Sequence, residues 1–259
     1  MKELQKLIEA INHKKRDETL APLEKQTQKE VAALFNRQRV LFMEYLKKSQ
    51  EFFVESQEPE DIIAKVIAIT EGVWSETLRE ASMRALQAGM VDAINDFDVP
   101  EIAFNLRHPK AEQVIAQRGA ELVTKINDTT RGQINGLLQK GKAERWSYKK
   151  VAGEIEQRFK EFAVGKPQLH IRSRAELVAV TENAIAYGEG NREASLQLED
   201  AGLEMEKSWS TTGDDRVSDG CQENAGVGWI PVNELFPSGH QNEPRFPSCR
   251  CAVLYRRKR

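Results

Sequence analysis

The sequence has little cysteine, no long apolar run and almost no net charge, and each shortage excludes something. Three cysteines occur among 259 residues. An odd count in a chain read as carrying no secretory leader points to a reducing compartment, where cysteines are reduced, metal-bound or catalytic. The most apolar stretch, DIIAKVIAITEGVW, is broken by Lys65 and Glu71 and falls short of the roughly 20 apolar residues that span a bilayer. The opening MKELQKLIEAINHKKR spreads its charges at helical spacing and lacks a signal-peptide core, so the chain reads as soluble, with no membrane partner. Lys and Arg number 38 against 40 Asp and Glu, a formal charge of -2, and bulk charge therefore favours neither nucleic acid nor an acidic surface. The exception is local. Arg256, Arg257, Lys258 and Arg259 form a basic tail, to be read as a solvated run or, alternatively, as a weak DNA contact.

Signatures of catalysis are scarce too. YGEGNRE contains a Gly-x-Gly, but it sits in a helical pattern with Glu193 where a third glycine belongs, so it does not read as a dinucleotide turn. His13, His108 and His170 lie in charged or turn contexts without a second ligand at a fixed spacing. Residues 1–109 contain no cysteine, no glycine-rich phosphate loop and no His pair at ligand spacing. The chain also shows no internal repeat and no low-complexity tract.

Amphipathic helices are present in quantity. From about Thr27 to Phe97 apolar residues recur three and four apart, as in Val31, Leu34 and Phe35 or Ile62, Ile63, Val66 and Ile67, with a break expected near Pro59. A second block runs from near Lys110 to a stop expected at Gly141. Ser147 should cap a helix carrying Val151, Ile155 and Phe159 on one face, ended by Gly165 and Pro167. A further long helix reaches Gly202. Beyond it, LEMEKSWST alternates apolar and polar residues and CAVLYR is rich in strand formers, which predicts two strands able to pair antiparallel. The expected fold class is α+β, predominantly α: long helices followed by a small C-terminal antiparallel β element pinned by cysteines.

Some 40 residues rich in Gly, Pro, Asn and Asp separate these strands, too many for an unsupported loop. Cys221, His240, Cys249 and Cys251 supply the right number and type of ligands for a tetrahedral structural zinc site. Cys249 and Cys251 can share one ion only if the chain turns between them, because alternate strand residues face opposite ways. Reduced buried thiols, a disulfide from Cys221, and a nucleophile set of Cys221 with His240 and Asp214 or Asp215 are the alternatives. Asp214, Asp215 and Asp219 lack the alternation of a calcium loop and read as turn formers.

Taken in order, ELVTKINDTTRGQINGLL, SYKKVAGEIEQRF, RAELVAVTENAIAYGEGNREA, KSWSTTGDDRVSDGC and FPSCRCAVLY resemble the phage head morphogenesis domain of Mu F-like minor head proteins, from about residue 110 to 255. The motif positions are Thr181 and Glu182, Trp209 and Thr211, Asp215 (or Asp214) with Arg216 and Val217, and Cys249-Arg250-Cys251. Ser218 and Phe246 stand where relatives often have Cys and His, and Val180 stands where Arg is usual. The resemblance implies a division into residues 1–109, a helical region for packing on portal, scaffold or sister subunits; 110–255, the family domain; and 256–259, the basic tail. It further implies a virion component without enzymatic activity, assembled in the bacterial host cytoplasm, with portal as partner and scaffold or major capsid protein as further candidates. Zinc would be structural. A DNA-binding module using the tail and a zinc-ribbon-like element, or a toxin carrying the same domain, is the alternative function.

Overall fold

A computed structural model describes residues 2–51, 59–97, 99, 102–164 and 173–258. Its elements follow in the order α1 (Lys2–Glu51), α2 (Pro59–Phe97), α3 (Pro109–Ala143), α4 (Tyr148–Ala163), α5 (Arg174–Asp200), β1 (Met205–Ser210), α6 (Asp219–Gly226), β2 (Ile230–Pro231) and β3 (Ala252–Arg257). The fold is α+β and mostly helical, with a small C-terminal sheet beside the cysteines, as the periodicity predicts.

Local sequence accounts for the starts of α2 and α4. α2 opens at Pro59, where a fixed φ and a missing amide suit the first turn. Ser147 caps α4 as expected: its backbone is extended and its Oγ accepts the Lys150 amide at 3.3 Å. α1 runs through Pro22, which has no amide to offer the Glu18 carbonyl; the fully buried Leu20 and Val31 on either side anchor the helix. α3 continues past Gly141, the expected stop, to Ala143. That glycine serves packing instead, since a Cβ there would lie 2.9 Å from Val151 Cγ2. Gly165, Pro167 and His170 lie outside the described residues.

The chain forms two compact units, one from Met1–Gln26, Glu80–Ile115 and Ala179–Arg259, the other from Thr27–Arg79 and Ala116–Val178. Neither coincides with residues 1–109 or 110–255. The second unit is helical, and its core is aromatic. Phe35 meets Trp74 edge-on at 4.9 Å and Phe162 at 5.3 Å, and Phe159 stands between Phe42 and Phe162. Four of these rings, those of Phe35, Phe42, Trp74 and Phe159, are fully buried, each contributing roughly 2–3 kcal/mol by burial. Arg174 enters this core between Phe35 and Phe162 and donates to Thr130 Oγ1 and the Ile126 carbonyl. Burial lowers its pKa to about 10.

In the first unit α2 and α5 touch backbone to backbone. A Cβ on Gly89 would stand 2.1 Å from the Tyr187 carbonyl oxygen, and one on Gly190 would stand 2.1 Å from that of Leu86. The glycines of YGEGN thus permit a helix crossing, not a nucleotide turn. The sheet has the order β2-β1-β3, with both pairs antiparallel; Ser210 faces Ala252 and Met205 faces Arg257. β1 departs from the predicted one-sided strand, because all its residues except Glu206 are buried. It is the central strand, and the segment after β2 folds over it, where Lys207 Nζ donates to the Gln241 carbonyl and Oε1 at 2.9 and 2.6 Å.

Candidate metal centre

The long segment between β1 and β3 is ordered by three anchors. At its start, Asp214 bridges a turn, accepting from the Arg216 amide at 3.1 Å and from its guanidinium. Asp215 beside it is exposed. In the middle, the buried side chain of Asn224 on α6 makes two hydrogen bonds with Ser238, at 2.8 and 3.1 Å. At the end, Ser248 adopts a left-handed conformation with φ 63, and its amide is received by Thr181 Oγ1 of α5 at 3.2 Å. The motif threonine thus steadies the strained residue directly before Cys249.

These anchors bring the three thiols together. The Sγ atoms of Cys221, Cys249 and Cys251 lie within 4.8 Å of one another, with Cys221 and Cys249 4.0 Å apart. All three are buried free thiols. Cys221 comes from the first turn of α6. Cys249 follows a turn in which its own amide donates to the Phe246 carbonyl, and β3 begins only at Ala252. The expected obstacle of alternate strand faces therefore does not arise. A tetrahedral zinc site with Zn–S bonds of about 2.3 Å sets its sulfurs about 3.8 Å apart, so the cluster fits three corners of such a site.

Hydrogen bonding separates the acidities of Cys249 and Cys251. The Cys251 thiol, with the amides of Cys251 and Arg245, favours the Cys249 thiolate and holds it below the ordinary thiol range against desolvation. Cys251, the donor, is pushed far above the ordinary thiol range.

The other expected site residues fall elsewhere. His240 stands outside the thiol group; its Nδ1 lies 3.0 Å from both the Oγ and the carbonyl of Ser238, and its own carbonyl accepts the Phe236 amide. Trp209 belongs to the cluster's apolar shell, edge-on to Phe236 at 5.1 Å. Thr211 follows β1 and is half-buried, as is Glu182 on α5. In the tail, Arg256 bonds Glu206 at 2.9 Å and covers the Trp229 ring at 3.9 Å, and Lys258 pairs with Glu204 at 2.7 Å. Arg257 is exposed, and Arg259 lies outside the described residues. Two of the tail's charges are thus matched by carboxylates on and next to β1.

Sequence reasoning missed Arg245 and Lys207. Arg245 NH1 donates to Ser218 Oγ at 2.9 Å and lies over Gly220, where a Cβ would come within 2.5 Å of the guanidinium. Ser218 is used here for that bond. Lys207 faces Phe236 at 5.0 Å, and burial lowers its pKa to about 8. No local motif marks either; the glycine at 220, which admits the guanidinium, was the one available signal.

Fold and site together define a class: a helical protein whose C-terminal antiparallel sheet is organised around three buried thiols. Residues 132–254 match the family described as Phage Mu protein F like protein. This part of the chain, just under half of it, is a Mu F-like domain of the phage head morphogenesis family, a family of structural phage proteins. No curated protein and no solved structure matches the chain. Among the described residues no helix is long and apolar enough to cross a membrane.

Proposed function

We propose that this protein is a minor head protein of a tailed phage or prophage that acts in head assembly by binding the portal, and that its role is structural, with no catalytic step. The family match over residues 132–254 carries this reading. In support, the motif residues Thr181, Trp209 and Asp214 serve the architecture around the thiols. The cluster holds one structural zinc through Cys221, Cys249 and Cys251, and His240 completes it only by turning away from Ser238. Zinc would supply a fixed crosslink between α6 and the approach to β3, in place of the thiol hydrogen bonds.

The portal contact is expected on the helices of the second unit, where Val40, Ile69 and Val73 are exposed apolar residues. The test is co-sedimentation of the full chain with purified portal, and with procapsids assembled with and without portal. Association that requires portal and is lost in Ile69→Glu or Val73→Glu is the expected result. Absence of association with portal-bearing procapsids would overturn the assignment.

A further inference from the structure

Residues 140–150, KGKAERWSYKK, hold five Lys and Arg residues against the single acid Glu144, in a chain whose charges otherwise nearly balance. They form the corner of the second unit where α3 ends and α4 begins. Trp146 is its post. The ring lies over Gly141, where a Cβ would come within 3.3 Å of it, and Nε1 donates to Glu144 at 2.7 Å. Two ammonium groups stand on the ring, Lys150 at 4.1 Å and Lys140 at 5.5 Å from its centroid. Arg145 and Lys149 are exposed beside it. Among the described residues these four cations have one carboxylate within ion-pair distance, that of Glu144 at 4.0 Å from Lys140 with both groups more than half exposed, a pairing worth little in water.

Local folding does not ask for three of these charges. The Trp146 amide donates to the Gly141 carbonyl at 2.8 Å and so closes α3, which leaves Arg145 just past the helix in a left-handed conformation with φ 53. Glycine is the usual residue at that place, and an Arg there strains the backbone. Lys149 and Lys150 occupy the first turn of α4, which has no acidic residue, although the positive end of the helix dipole favours acids and opposes cations. Cations kept where they cost stability point to a role outside the folding of the chain itself.

We propose that this corner is a docking surface for duplex DNA, which it holds through the phosphates and without regard to base sequence. A polyanion relieves the repulsion at the start of α4 and meets Lys140, Arg145, Lys149 and Lys150 together. A protein partner fits less well, because interfaces between proteins deplete Lys and set apolar anchors at their centre, whereas the Trp146 ring is already covered by ammonium groups. The same covering removes that ring as a platform for an unpaired base, and a duplex presents its charges more densely than a single strand. The C-terminal tail is the poorer candidate, since two of its cations are matched by carboxylates. The inference does not depend on portal binding.

Fluorescence anisotropy of a short labelled duplex, titrated with the full chain over a range of salt concentrations, tests this. Two duplexes of unrelated sequence should bind equally, with log K falling against log salt at a slope of about −3 to −4, as four phosphate contacts require. A single strand of the same length and a poly-glutamate of the same charge should bind more weakly. Lys149→Gln combined with Lys150→Gln should flatten the slope by about 2 and weaken binding about tenfold or more at moderate salt. Arg145→Gly removes one contact yet suits the left-handed backbone, so it should flatten the slope by about 1 in a chain at least as stable as the parent. Arg257→Gln combined with Lys258→Gln, which neutralises much of the tail, should leave binding unchanged. The proposal is overturned if neither duplex binds, if poly-glutamate or the single strand binds as tightly, if the tail variant abolishes binding, or if the folded Lys149/Lys150 or Arg145 variants keep the parent slope.

Discussion

Cys249 is the residue on which the C-terminal element turns, because its sulfur lies against both other thiols while its backbone sits in a turn steadied by Thr181. Metal bound by these thiols adds its binding free energy to folding of the element. Protein purified without added metal should therefore contain close to one zinc per chain by elemental analysis. Cys249→Ser should lose it and shift Trp209 fluorescence toward that of exposed indole, with the far-ultraviolet helix signal nearly unchanged. Metal-free protein with three titratable thiols and a buried Trp209 would leave packing as the explanation. Lys207 offers a separate readout. Burial brings its folded pKa to about 8, so between about pH 8 and 10.5 the unfolded chain holds a proton that the folded chain has released. Stability should rise through that window by about 2 kcal/mol from this group. Urea unfolding should show the rise in the parent chain and lose it in Lys207→Met; equal slopes would exclude the buried amine as its source.

At the scale of elements, α4 with its Ser147 cap and the β1 and β3 pair were legible because local signals and burial agreed there. The thiol cluster was legible as a residue set, and its three cysteines do meet. His240 was not separable from them by sequence, since whether its ring faces sulfur or Ser238 depends on the turn from Phe236. Nor could the sequence place Arg245 on α6 or distinguish a helix-crossing glycine from a turn glycine, because both depend on what another element brings near. Gly190→Ala should lower stability by about 2 kcal/mol or more, since the added carbon meets the Leu86 carbonyl and the two helices must separate. Gly72→Ala on α2, with nothing within 4 Å of its Cβ, should raise stability by roughly 0.5–1 kcal/mol. Denaturant midpoints compare the two, and a harmless Gly190→Ala would contradict the close crossing.

At the scale of the whole molecule, the compact units draw on interleaved segments of the chain. Amphipathic periodicity shows which face of a helix is buried but not which other segment buries it, and this is why the division could not be read in advance. Dissecting the protein at residue 109 or 165 would leave the first unit without its residues 179–259, so the portal-binding test calls for the intact chain.

The span of contacts in the first unit bears on how the protein is made. His13 meets Ser210 at 2.9 Å and Glu24 meets Arg250 at 2.8 Å, across 197 and 226 residues of chain. On a ribosome adding 5–20 residues per second, the opening turns of α1 wait roughly ten to forty seconds before those partners are synthesised. During that interval Leu20 and Leu23 lack the Ala184, Tyr187 and Ala186 side chains that later surround them. The first unit can therefore close only after its last segment, residues 179–259, has been made.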